Sequence, residues 1–143
     1  MPVILSMHPN TMNHIKSGGY SLDANIILHE PFGMFDYIKL QKSAFCCLSD
    51  SGTIHEDAAI LGITAVNIRE VQERPEVYET GNVVMSGVTS KGIINTVELV
   101  RAQLSNGIAF DNPYRGNTNC SDKVVRLIMS LHEVIRKKKY GKS

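Results

Sequence analysis

Apolar residues along this chain fall into short runs that alternate with segments of helical periodicity. The short runs predict strands at residues 3–7, 25–29, 45–49, 64–68 and 82–85. Apolar residues at every third or fourth position predict helices between them, capped at Asn10 or Thr11, beginning near Gly33 and Thr53, and capped at Ser90 and Ser121. This alternation predicts an α/β fold with a doubly wound parallel sheet, Rossmann-like in its layout.

The centre of the chain contains the most specific pattern. The apolar run 45–48 leads into Asp50-Ser51-Gly52-Thr53, then a helical segment that stops at Gly62, then a second apolar run at 63–68. Ser51, Gly52 and Thr53 therefore follow the carboxyl end of a strand, where α/β sheets bind ligands. The next helix presents unpaired N–H groups there, and small residues allow a close approach. The pattern predicts a nucleotide diphosphate site, with Glu56 or Asp57 placed to bind ribose hydroxyls.

An ordinary connection between a strand and a helix remains the alternative for this segment. Ser51 or Thr53 would then only cap the following helix. Glu56 and Asp57 would be first-turn acids that the helix dipole favours.

Composition narrows the function classes. The chain has 143 residues with 43% hydrophobic residues, enough for one compact domain, and its formal net charge is +1. Because acids and bases are interspersed, we expect no nucleic-acid partner; the basic run 136–139 is typical of a solvated helix end. Three cysteines without metal-ligand spacing indicate reduced thiols and no metal. With no signal peptide and no long apolar run, we expect a soluble, cytoplasmic protein without a membrane partner.

Several linked blocks of this sequence match one family in order and spacing. The segment around Ser51, Gly52 and Thr53 resembles the signature of the non-hydrolysing UDP-N-acetylglucosamine 2-epimerases. The resemblance covers nearly the whole chain, and its blocks are residues 50–58, 61–63, 68–69, 73–76 and Gly81, with 8–10, 31–37 and 112–114 further out.

The resemblance implies that the chain corresponds to the C-terminal, UDP-binding half of a two-domain enzyme of the GT-B type. Residues 1–120 would form the nucleotide-sugar binding domain. Residues 121–143 would form an amphipathic C-terminal helix that packs on an absent N-terminal domain or partner chain. The alternative is that this helix packs on the sheet of its own domain. Members of the family generally form dimers, so a homo-oligomer is expected for the full enzyme.

The resemblance also assigns roles near the predicted phosphate loop. Ser51, Gly52 and Thr53 match that loop, although Gly is more usual at the position of Thr53. Asp57 matches a ribose-binding Glu, and because its carboxylate is shorter, the neighbouring Glu56 is the alternative. Arg74 matches a substrate-contacting arginine whose planar fork suits a diphosphate. Its alternative role is a surface pair with Glu73 or Glu76.

Further roles are implied outside this loop. Tyr37 matches an aromatic residue that flanks the uracil, and Phe32 matches a residue whose backbone lies at the base; both are equally compatible with a place in the core. His8 matches a histidine that belongs to an additional UDP-sugar site in some relatives, and a hydrogen-bonded structural histidine is the alternative. His55 occupies a position that is commonly Gln, and we expect a polar group on the helix surface.

The activity implied by the resemblance is epimerisation at C2 of a UDP-N-acetyl amino sugar, by elimination of UDP and its re-addition. The family uses no cofactor for this reaction, and its acid/base carboxylates lie in the other domain. No catalytic residue is therefore expected in this chain, and UDP-sugar is its expected ligand. Residues 31–37 with Thr53 resemble the branch that makes UDP-N-acetyl-L-fucosamine, which implies a role in bacterial surface polysaccharide synthesis. The alternatives are the nucleotide half of a UDP-sugar-dependent glycosyltransferase and a non-catalytic UDP-binding subunit of a split enzyme.

Overall fold

The structure, a computed structural model, describes residues 1–107, 110, 112–116 and 119–141, without the side chains of residues 75–77. Strands and helices alternate along most of the chain. The strands are β1 (Val3–Ser6), β2 (Ile26–His29), β3 (Cys47–Ser49), β4 (Ala65–Asn67) and β5 (Val83–Met85). The α-helices are α1 (Pro9–Ser17), α2 (Met34–Ser43), α3 (Ile54–Leu61), α4 (Ser90–Ser105) and α5 (Cys120–Tyr140). A 3-10 helix, Pro75–Thr80, precedes β5.

Every described strand pairs in parallel, which confirms the predicted α/β class. β1 pairs with β2, so that Val3 lies opposite Ile26. β4 lies between β3 and β5, with Ala65 opposite both Cys47 and Val83. The described strands form these two separate sheets rather than one continuous sheet. Since parallel strands end at the same edge, the segments after β3 and β4 are brought together.

The core lies where α3 packs on the β3-β4-β5 sheet. All three residues of β4 are buried, as a central parallel strand requires. α3 ends at Gly62, whose φ of 67° is left-handed and therefore favours glycine. The buried apolar cluster consists of Ile54, Ala58, Ile63, Ala65 and Val83, with Cys47 and Leu61 packed against it. This packing fixes the position of the turn between β3 and α3.

Several predicted helix starts were wrong by one or more residues. His8, not Asn10 or Thr11, is the N-cap of α1, and its ring accepts the Asn10 N–H at 3.3 Å. Thr89, not Ser90, caps α4 by accepting the Gly92 N–H at 3.1 Å. α5 begins at Cys120 instead of being capped by Ser121. The competing caps lie beside one another in sequence, and pattern alone does not choose between them.

α5 exposes its apolar stripe along its whole length. Each residue from Cys120 to Tyr140 is exposed, so the structure does not show the helix packed on the sheet of its own domain. The stripe includes Val124, Val125, Ile128, Leu131 and Ile135, each 44–60% exposed. Among the described residues, no helix is long and apolar enough to cross a membrane.

Candidate functional site

The turn between β3 and α3 is organised by its hydroxyl groups. The Ser51 amide donates to Ser49 Oγ at 3.1 Å, and the Thr53 amide donates to Ser51 Oγ at 3.3 Å. The hydroxyls of Ser51 and Thr53 lie 2.9 Å apart, and both residues are exposed. Thr53 is the N-cap of α3, but its side chain accepts no capping hydrogen bond. The capping alternative therefore does not describe Thr53, whose hydroxyl stays beside Ser51 at the first turn of the helix.

Arg74 lies directly against this turn. Its guanidinium donates to the Gly52 carbonyl at 2.8 Å and to both carboxylate oxygens of Glu56. Arg74 belongs to the segment that follows β4, residues 68–74, which we call the arginine loop. The proposed alternative partner Glu73 pairs instead with Arg69 at 3.4 Å, and the side chain of Glu76 lies outside the described residues.

A second guanidinium reaches the same glycine. A Cβ atom placed on Gly52 would lie 3.7 Å from Nη1 of Arg69 and 3.8 Å from Nη2 of Arg74. The space above Gly52 is therefore bordered by two cationic forks and by the exposed hydroxyls of Ser51 and Thr53. Such an arrangement suits an anion with several oxygens, because charge-assisted hydrogen bonds to guanidinium groups are strong and directional.

Arg69 is a site residue that the sequence analysis did not assign. It belongs to a matching block, but no role was given to it. Its position in the sequence could have identified it. β4 is the parallel neighbour of β3, and Arg69 comes shortly after the carboxyl end of β4. Residues that follow adjacent parallel strands meet at one edge of the sheet.

The two acids of α3 have different environments. Burial pushes the pKa of Glu56 upward, but its hydrogen bond from Arg74 and the charge of that arginine hold the pKa below the ordinary value. Burial, and then the neighbouring Glu56, raise the pKa of Asp57. Within the described residues, the Asp57 side chain makes no hydrogen bond, whereas Glu56 is engaged by Arg74. Asp57 is therefore the acid better placed to accept from a ligand hydroxyl.

Tyr37 lies near Asp57. Burial is the main cause that raises the pKa of the Tyr37 hydroxyl, and Cys47 and Asp57 contribute through their charges. The ring is 41% exposed, so it is not a core residue. The charge of Asp57 on α3 therefore reaches the hydroxyl of Tyr37.

Phe32 and His8 lie at the other sheet. Phe32 stacks on His29, with ring centroids 3.9 Å apart and the planes inclined by 10°. His8 follows β1 and is exposed, and its cap on α1 is the structural role that was given as the alternative. In the part of the chain that the structure describes, neither residue has a recorded interaction with the turn at Ser51.

His55 is not the surface group that was expected. It is 1% exposed, because its side chain points from α3 into the core toward Asn67 and Gln72. Burial, as the main cause, lowers the pKa of its imidazole. The charged neighbours at positions 56 and 57 made the first turn of α3 look solvated throughout, but the helix turns His55 to the opposite face.

Comparison with known proteins identifies the family. The family model described as UDP-N-acetylglucosamine 2-epimerase matches residues 1–129. The UDP-N-acetylglucosamine 2-epimerase of Methanocaldococcus jannaschii is 32% identical over 130 residues, which cover 88% of this chain and 34% of that protein. The UDP-2,3-diacetamido-2,3-dideoxy-D-glucuronate 2-epimerase of Pseudomonas aeruginosa is 28% identical over 91% of this chain and 35% of its own length.

A solved structure gives the same result. The crystal structure of the Methanocaldococcus jannaschii UDP-GlcNAc 2-epimerase in complex with UDP-GlcNAc and UDP superposes with a TM-score of 0.71 at 28% identity. The superposition covers 90% of this chain and 36% of the Methanocaldococcus jannaschii enzyme. The chain thus spans about a third of the length of the relatives it matches, in their C-terminal half. It belongs to the UDP-N-acetylglucosamine 2-epimerase family of isomerases, and its fold is that of the corresponding part of these GT-B-like enzymes.

Proposed function

We propose that this chain is the UDP-binding part of a UDP-N-acetyl amino sugar 2-epimerase. The observation that supports it most strongly is the convergence of two guanidinium groups, from Arg69 and Arg74, on the Gly52 turn. Each is a rigid fork that fits phosphate oxygens. The turn stands at the amino end of α3, where N–H groups and the helix dipole favour an anion.

The chemistry of C2 epimerisation gives these groups a purpose. When UDP leaves the sugar, negative charge grows on its diphosphate, and the diphosphate must stay in place until it attacks again. Preorganised donors stabilise such a developing charge without having to reorganise. We assign this role to Ser51, Gly52, Thr53, Arg69 and Arg74, with Glu56 holding Arg74 against the turn.

The remaining assignments follow the expected path of the nucleotide. Asp57 accepts from the ribose hydroxyls, because Glu56 is occupied by Arg74. Tyr37, close to Asp57, flanks the uracil, with the backbone of Phe32 at the base. His8 serves an additional UDP-sugar site. The last two assignments rest on the resemblance alone.

The acid and base of the reaction belong, in this proposal, to the rest of the enzyme. Within the described residues, Glu56 is bound by Arg74, and we assign Asp57 to the ribose, which leaves neither acid for proton transfer at C2. The relatives are about three times as long as the matched segment, which leaves room for a second domain. Residues 1–120 would form the UDP-binding domain, and the rest of the enzyme would be joined to it in one polypeptide or supplied as a separate chain.

α5 is the proposed contact with that missing part. The chain exposes 10818 Å², whereas a folded monomer of 15.8 kDa exposes about 7,300 Å² by the usual scaling. The exposed apolar residues of α5 contribute to this excess. We propose that this stripe packs on the N-terminal domain, and that the complete enzyme is a homo-oligomer.

The sugar and the cellular role are proposed from the resemblance. Relatives carry names with different UDP-sugars, and we place this chain in the branch that leads to UDP-N-acetyl-L-fucosamine on the strength of residues 31–37 and Thr53. This implies a cytoplasmic enzyme of surface polysaccharide synthesis. The family match favours the epimerase over the glycosyltransferase alternative.

Calorimetry with UDP tests the proposal. UDP should bind the folded 143-residue chain equally well with and without a chelator, because the donors at the turn are guanidinium, hydroxyl and amide groups. In the described part of the chain, no group of three or more His, Cys, Asp or Glu side chains is placed to hold a metal. A Kd of 1 mM corresponds to a binding free energy of about −4 kcal/mol. If millimolar UDP produces no heat of binding with the folded chain, the proposal is refuted.

A further inference from the structure

A buried polar cluster supports the arginine loop from behind. His55 of α3 and Asn67 at the end of β4 are each 1% exposed, and Gln72 of the arginine loop is half-buried. Nε2 of His55 lies 2.8 Å from Nε2 of Gln72 and 3.0 Å from Nδ2 of Asn67. Because His55 is buried, these two contacts provide the hydrogen bonds of its Nε2.

The contacts fix the tautomer of His55. Oε1 of Gln72 accepts the Glu73 N–H at 3.1 Å, so the amide of Gln72 is oriented with its NH₂ group toward the imidazole. An NH₂ group only donates, and Nε2 of His55 must therefore accept. It follows that the ring is neutral and carries its proton on Nδ1.

Protonation of His55 is incompatible with this arrangement. A proton on Nε2 would point at the NH₂ group of Gln72, which also donates. Nδ1 is buried and has no hydrogen-bond partner among the described residues. The ring of Tyr78 packs edge-on against the imidazole, with ring centroids 5.8 Å apart. Burial lowers the pKa of His55 most; Glu56 opposes this shift and Arg74 adds to it.

The position of Gln72 connects this cluster to the ligand site. Gln72 stands in the arginine loop between Arg69 and Arg74, whose side chains both reach Gly52. We propose that neutral His55 is a positioning residue: through Gln72 it holds the arginine loop against the Gly52 turn, and its protonation at acid pH releases the loop and weakens UDP binding. The choice of UDP as the ligand rests on the proposed function. The coupling of His55 to the arginine loop does not depend on that function.

The sign of the pH effect follows from linkage. The pKa of His55 in the folded protein lies below the ordinary value of 6.5, so the unfolded chain binds a proton that the folded chain excludes. The contribution of His55 to stability is fully present above about pH 6.5 and is lost as the pH falls toward the folded-state pKa. If only the form with neutral His55 binds UDP, the apparent Kd is doubled at the pH where half of His55 is protonated and is raised about elevenfold one pH unit lower.

The test compares wild type with three variants. His55→Gln keeps an uncharged acceptor for the two amides but cannot titrate. Gln72→Ala removes the link and leaves the imidazole in place. His14→Gln is the matched control, since His14 is exposed on α1. The terminal phosphate of UDP itself titrates near about pH 6, so only the difference between proteins reports on His55.

The measurements are UDP calorimetry between pH 7.5 and 5, and ¹⁵N NMR of the His55 imidazole and of the arginine Nε–H groups over the same range. We expect wild type and His14→Gln to lose more affinity on acidification than His55→Gln, and Gln72→Ala to bind weakly already at pH 7.5. The Arg69 and Arg74 signals should shift with the midpoint of His55, and this step should be absent in His55→Gln.

Equal pH dependence in wild type and His55→Gln, an Nε2–H tautomer, or arginine signals that ignore the titration of His55 would overturn the inference. If wild type binds no UDP at any pH, the proposed function fails. The NMR titration then still decides whether His55 holds the loop.

Discussion

Replacing Gly52 by alanine tests the geometry of the site with one methyl group. Gly52 does not have a left-handed φ, so alanine is tolerated by the backbone. The new Cβ would lie 3.7 Å and 3.8 Å from the guanidinium nitrogens of Arg69 and Arg74, which is ordinary van der Waals distance. The variant should therefore fold normally, with a methyl group in the space where both guanidinium groups face the ligand.

The expected loss is that of about one charge-assisted hydrogen bond. Such a bond contributes about 1.5–3 kcal/mol, which corresponds to a roughly 10- to 150-fold weaker Kd for UDP. Calorimetry measures the Kd, and thermal unfolding should show an unchanged melting temperature. If Gly52→Ala bound UDP as tightly as wild type, the diphosphate would not occupy the space between the arginines.

Three other variants or assays probe separate parts of the account. Arg74→Lys should weaken UDP binding by about 1–3 kcal/mol with little change in melting temperature, since the planar fork is lost while the charge remains. Arg101→Lys is the control for this exchange, because Arg101 forms an exposed ion pair with Glu98. Normal UDP binding by Arg74→Lys would return Arg74 to a structural role. Asp57→Asn should weaken UDP by about 1–2 kcal/mol but leave pyrophosphate binding unchanged, and an equal loss for both ligands would argue against a ribose contact. The chain alone should not exchange the C2 proton of UDP-N-acetyl sugars in deuterated water, because we expect no positioned base in it. NMR follows this exchange, which should appear once the proposed second domain is supplied. Exchange by the isolated chain would contradict the two-domain proposal.

The succession of strands and helices along the chain and the main turn were predictable because their signals are local. The run before Asp50, the helix stop at Gly62 and the run after it define a parallel crossover, and the structure contains it. Ser51 and Thr53 are at the predicted place. The short strands and the short connections between them leave few alternative arrangements.

Pairings between distant residues were not predictable. Arg74 was predicted to contact the substrate, with a pair to Glu73 or Glu76 as the alternative, and neither prediction included its contacts with Glu56 and Gly52. Such a contact depends on which strands are adjacent and on how far a side chain extends. The burial of His55 was missed for a related reason, since its partners Asn67 and Gln72 come from the next strand and loop.

The packing of α5 could not be predicted from the sequence either. Its apolar periodicity predicts an amphipathic helix equally well whether the covering surface belongs to this chain or to another. The structure leaves the stripe of Val124, Ile128 and Leu131 exposed. We propose that a second domain or chain buries it, and such contacts cannot be predicted from this sequence alone.

The most direct test of the central claim is an NMR titration of the ¹⁵N-labelled chain with UDP. We expect the largest shifts on the amides of Ser51, Gly52 and Thr53 and on the side-chain Nε–H groups of Arg69 and Arg74, with saturation that a chelator does not alter. Shifts confined to other surfaces, or no shifts at millimolar UDP while the spectrum shows a folded protein, would contradict it.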